Sequence, residues 1–167
     1  MSDTAAILQE FEQECKTTRR VLERVPSEKL AWKPHEKSMS LGKLAMHVAM
    51  APSSISGWAV EDTSHFAGGS TPDPRTTAEI LSAHDDGAIK TKNNLTAIGD
   101  AGLGKMWEMK GPDGTTMMAM PKGALVRSIV LNHVYHHRGQ LSVYLRLLDV
   151  PVPSIYGPSA DENPWAK

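Results

Sequence analysis

The stretch PKGALVRSIVLNHVYHHRGQLSVYLRLL, Pro121 to Leu148, sets the architecture of this chain. Val126, Val130, Leu141, Tyr144 and Leu148 recur with the three- and four-residue steps of one helical face, and His133 and His137 sit inside that stripe. Pro121 suits a first helical turn, and Asp149, Val150 and Pro151 end the pattern. The spacing predicts a single helix of about 40 Å at 1.5 Å per residue.

Upstream, three more segments carry helical periodicity. The first runs from Thr4 to about Val25, with Leu8, Phe11, Cys15, Leu22 and Val25 on one face and Thr18 continuing the spacing; Asp3 or Thr4 can cap it. A short turn begun by Ser27 follows, in PSEKLAWKP. The second helix is expected from Ser40 to about Val60, with Leu41, Leu44, Val48 and Ile55 buried and a kink where Pro52 removes a backbone donor. The third opens at Thr76 or Thr77, after the turn-rich HFAGGSTPDPRTT, and carries Ile80, Leu81, His84, Ala88 and Leu95. Between the third and last helices, KMWEMK and TTMMAM flank a Gly-Pro-Asp-Gly turn, which predicts a small β-hairpin. The expectation is an all-α four-helix bundle with a β-hairpin insertion before the last helix, residues 1–167 forming one domain.

Composition removes several functions. With one cysteine, Cys15, there is no intrachain disulfide, and the polar start MSDTAAILQEFEQEC reads as that of an intracellular, cytoplasmic protein. No apolar run reaches the length of a membrane span, and a formal net charge of -1 offers no field to gather nucleic acid. The expected partner is a small molecule or a second copy. Gly99, Gly104 and Lys105 have the spacing of a phosphate-cradling loop, but Met106 stands where a hydroxyl residue would hold magnesium, and a helix precedes it instead of a strand. The four tryptophans, at 32, 58, 107 and 165, read as packing anchors, with Trp165 available to pin the tail.

The chemistry concentrates on histidine. His133 and His137, four apart, lie over successive turns of one face, where two imidazoles can share a cation or sit as hydrogen-bonded core residues. His47, between Leu44 and Ala51 on the second helix, could add a third ligand from a facing helix. Three neutral imidazoles leave coordination positions open, the mark of a catalytic rather than a structural ion, and nitrogen donors suit zinc, nickel, copper or iron. HVYHH has the register of an H-x-x-E-H peptidase signature, but His136 replaces the glutamate base, so the ordinary peptidase reading fails. His136 itself points about 100° away and is expected in a helix interface rather than at the site's edge. Arg138 is expected to pair with acidic groups such as Asp161 or Glu162, Tyr144 to lie in the core, and His35, His65 and His84 to be solvated. Nothing near Cys15 in sequence would activate its thiol.

SMSLGKLAMHVA, HVYHHRGQLSVYLRLLDVPVP and YGPSADE together resemble the DinB and YfiT-like family of metal-dependent bacterial proteins, over nearly the whole chain. The resemblance implies a four-helix bundle and a divalent ion, commonly nickel or zinc, on one histidine of the second helix and an H-x-x-x-H pair of the last. Here those are His47, His133 and His137. It also implies homodimers, to which Ile129, Leu145 and Leu147 off the site-facing stripe would contribute, and thiol-dependent transferases and isomerases among its branches. The expected function is a metal-dependent enzyme, a hydrolase or a thiol transferase, that activates water or a low-molecular-weight thiol such as bacillithiol or mycothiol against a small electrophile. The alternative is a non-catalytic dimeric stress-response or binding protein with a structural or vestigial metal site. No residue is assigned a catalytic role.

Overall fold

Helix α1 spans Asp3–Leu22, α2 Leu41–Val60 and α3 Thr77–Leu103; α4, Lys122–Leu125, runs through a π-helical turn, Val126–Leu131, into α5, Asn132–Leu147. The computed structural model describes residues 3–65 and 70–166. Positions 66–69 of the expected loop before α3 therefore lie outside the described residues. The chain is mostly helical with a small mixed sheet, rather than all-α with an isolated hairpin. Strands β2 (Met106–Lys110) and β3 (Thr116–Pro121) form the predicted antiparallel hairpin, and β1 (Thr63–His65) adds a parallel strand on β2, with Thr63 opposite Glu108. Three residues are too few to carry a legible period, so β1 is set by its partners: Glu108 N–H donates to the Asp62 carbonyl (3.0 Å), and the buried Trp107 indole donates to Ser64 Oγ (3.1 Å).

Local chemistry places the helix ends. Ser40 Oγ caps α2 by accepting from Lys43 N–H, and Thr76 Oγ1 caps α3 by accepting from Glu79 N–H, each at 3.2 Å. At α1 the cap comes from far away: Thr4 N–H donates to the Asp100 carboxylate at 2.8 Å. Helix α2 runs unbroken through Pro52. A break in helical dihedrals falls in α3 at Gly99, one residue before Asp100, with φ 59° and ψ 174°, a region essentially closed to residues bearing a Cβ.

Helix α2 is the central element, buried along most of its circumference. Its small residues permit close approach: a Cβ at Gly87 of α3 would stand 3.1 Å from the Ala49 carbonyl. Val21, Leu22, Leu41, Leu44, Val48, Ile80, Leu141 and Leu145 form one apolar cluster. Phe11, Ile55, Leu95, Trp107, Leu125, Val126, Val130 and Leu131 form another, and α2 contributes to both. Leu145, outward-facing on the sequence pattern, is fully buried in the first cluster; Ile129 packs against the second, and Leu147 is 58% exposed.

The tail is held differently from expectation. Trp165 is 72% exposed, with its indole beside Gly157 of the tail itself. Arginines anchor the tail instead: Arg146 pairs with Asp161, Arg20 pairs with Glu162, and Arg138 donates to the Tyr156 hydroxyl. Arg138, 1% exposed, takes its carboxylate from Glu14 of α1 (2.6 Å) rather than from the tail, and also donates to Thr18 Oγ1 (3.0 Å). Asp161 and Glu162 are engaged by Arg146 and Arg20 instead.

His84 is 6% exposed rather than solvated, because its helix position faces the core. Burial holds its imidazole below the ordinary value, against the opposing pull of Asp85. An unfolded chain then protonates His84 more readily than the native one. The stabilising contribution is complete above about pH 6.5 and is lost as pH falls from there toward the lower native pKa. The urea midpoint of the wild type should therefore drop more between about pH 7 and pH 5 than that of His84→Asn. Equal drops would show that His84 does not set this slope.

Candidate metal centre

His47 projects from the middle of α2, and His133 and His137 from the first two turns of α5. All three are half-buried, and their ligating nitrogens lie within 4.8 Å of one another. The His47 and His133 Nε2 atoms are 3.0 Å apart. Two nitrogens bound to one ion at about 2.0–2.1 Å fit that separation. The rings meet at centroid distances of 5.0, 4.5 and 4.5 Å, so the three imidazoles form a closed triangle rather than a stack.

What aims these rings is their other nitrogen. His137 Nδ1 lies 2.7 Å from Gln140 Oε1, one turn further along α5, which leaves Nε2 facing the triangle. His47 Nδ1 lies 3.2 Å from Thr71 Oγ1 in the segment before α3. The His133 ring donates to the backbone carbonyl of Ile129, in the π-helical turn. Widened turns of this kind shift the hydrogen-bond ladder and occur often at functional sites. Outer partners on each ring fix tautomer and orientation, the arrangement that metal-binding histidines require. Replacing Gln140 with leucine should weaken a divalent ion's affinity by about 10–100-fold. Competition with a chromophoric chelator measures this, and an unchanged affinity would show the Nδ1 contact to be idle.

Electrostatics keep the donors free. Burial, with the neighbouring imidazoles, pushes His133 down to about 4. His47 and His137 are also lowered, chiefly by burial. Neutral rings at neutral pH present lone pairs, so the donor set suits a borderline divalent cation and carries no charge that would repel one.

The other sequence candidates separate from this group. His136 is exposed, with its ring 4.8 Å from that of His137, so it stands at the edge of the triangle and not in a helix interface. Tyr144 is half-buried, edge-on to Trp32 at 5.7 Å, and its hydroxyl donates to the Met39 carbonyl, away from the histidines. His35 and His65 are exposed, as expected. Burial pushes the Cys15 thiol up to about 12, so it is no nucleophile at neutral pH. Sequence reading missed Gln140, Thr71 and the Ile129 carbonyl. Gln140 lies three residues after His137, a spacing that places both on one helical face, and so had a signal; Thr71, in an irregular segment, had none.

The family model for the DinB family matches residues 1–165. This chain belongs to the DinB family. Two crystal structures share its fold: a DinB-like protein from Bacillus cereus, 24% identical, with a TM-score of 0.69 over 90% of this chain and 95% of that one, and the DinB-like YjoA of Bacillus subtilis, 18% identical, with a TM-score of 0.67 over 87% and 95%. The uncharacterized Bacillus subtilis protein YrdA is 46% identical over 48 residues, a match covering 29% of this chain and 27% of YrdA. Among the described residues no helix is long and apolar enough to cross a membrane.

Proposed function

We propose that this DinB chain binds a divalent ion, nickel or zinc, through His47, His133 and His137 on a four-helix bundle, and is an enzyme that activates water or a low-molecular-weight thiol against a small electrophile. The observation that carries the reading is the convergence of three half-buried imidazoles whose ring nitrogens lie within 4.8 Å of one another, each ring engaged by a separate outer partner. A core histidine needs a hydrogen-bond partner, but it does not need two other histidines aimed at the same point. A divalent ion held there supplies a Lewis acid with positions left over for water or thiol.

The chain's own residues have separable roles. His133 and His137 arrive pre-spaced on one helix, and His47 closes the triangle from α2. Gln140, Thr71 and the Ile129 carbonyl hold the rings.

Elemental analysis of protein purified without added metal tests the first half, with about one equivalent expected. Screening esters, amides and small electrophiles with and without bacillithiol, mycothiol and glutathione tests the second, since only a transferase depends on the thiol. Metal-free wild type that also fails to take up nickel or zinc would overturn the reading.

A further inference from the structure

A groove of about 820 Å³ opens on the outer side of His47. Its walls come from the segment leading into α2 and the segment before α3, with Lys33, Glu36, Lys37, Lys43, Thr71 and Asp73 as the residues that set its chemistry. Resting on the metal-site reading above, we propose that this groove is the substrate cleft and takes a small molecule carrying a carboxylate or similar anionic group.

Charge decides the class. Lys43 is committed to Asp73, at 3.7 Å. Lys33 and Lys37 have no ion-pair partner among the described residues, and Glu36 is the one uncommitted acid beside them. The wall therefore presents one net positive charge and two mobile ammonium groups, which receive an acid group as point charges. The first amides of α2 are already engaged and cannot receive it. Leu41 N–H donates to the Trp32 carbonyl, Gly42 N–H to the Leu30 carbonyl and Lys43 N–H to Ser40 Oγ. Recognition falls to side chains, the lysines with the hydroxyls of Ser38 and Ser70.

Thr71 links the groove to the site. It lines the cavity and also holds His47 Nδ1, so a molecule seated in the groove lies against the residue that orients a ligand. His133 and His137 do not line the groove; His47 is the histidine it reaches. An anionic molecule anchored at the lysine end thus approaches the triangle from the His47 side.

Succinate is a suitable probe, followed by amide chemical shifts of the full chain in zinc-loaded and metal-free forms, with tetramethylammonium as the cationic comparison. Saturable shifts at Lys37, Ser38, Ser70 and Thr71 are expected in both forms, with binding at least about tenfold weaker in K33E/K37E and reduced by a smaller factor in K33Q/K37Q. Both lysines are exposed, so the variants should keep the wild-type spectrum elsewhere. No saturable shift, equal response to the cation, or binding that needs zinc and ignores the lysine variants would overturn the cleft. Zinc content is read separately: succinate binding by a chain that takes no zinc would uphold the groove and sink the metal reading alone.

Discussion

His133→Ala is expected to lower nickel or zinc affinity at least about a hundredfold, because losing a ligand costs more than losing the outer partner of one. His133 is the pivotal position of the triangle. Its Nε2 is 3.0 Å from that of His47, and it shares α5 with His137, so its removal leaves only two imidazoles, one from each helix, to hold the ion. The ion should stabilise the wild type by mass action, about 2.7 kcal/mol at a hundredfold excess over Kd, and the variant hardly at all. Thermal unfolding with and without metal reads this directly. Truncation of a half-buried ring should leave the apo fold intact, so a metal-independent change in stability of similar size would point to a packing role instead. Undiminished stoichiometric binding by His133→Ala would remove the site.

The second large effect concerns stability. Arg138→Met is expected to cost about 3–5 kcal/mol, because it leaves the Glu14 carboxylate, which is largely shielded from water, with the Tyr156 hydroxyl but no counter-charge. The guanidinium joins α5, α1 and the tail at once, donating to Glu14, Thr18 and Tyr156 and lying 5.5 and 5.1 Å from the Tyr135 and Tyr156 ring centres. For a chain of this size the loss lowers Tm by roughly 10 °C. Adding Glu14→Gln should recover part of it by removing the stranded charge. Chemical denaturation of the single and double variants measures both numbers; additive losses would show that the two side chains are not coupled.

The helices are legible in the sequence because apolar spacing runs along each of them and, for α2 and α3, a local capping residue opens the pattern, Ser40 and Thr76. The histidine triangle is legible in a similar way: helical spacing puts His133 and His137 on one face, and His47, placed among the buried positions of the second helix, offers the third ligand that the family resemblance also names. What sequence does not show depends on contacts between distant segments. Arg138 and Glu14 lie 124 positions apart, and neither segment indicates which acid the arginine meets. His84 reads as solvated because its helix is polar on one side, and only docking shows that it faces inward. Strand β1 exists because β2 lies beside it.

Asp100 also bears on the order of folding. The first turn of α1 is capped by a carboxylate 96 residues downstream, beyond the Gly99 break. That turn cannot acquire its native cap until α3 has docked along its full length and a loop of this size has closed. The amino-terminal amides of α1 should thus gain protection from exchange only late in refolding, after those of α2. Of these helices, the one the ribosome makes first is among the last to be finished.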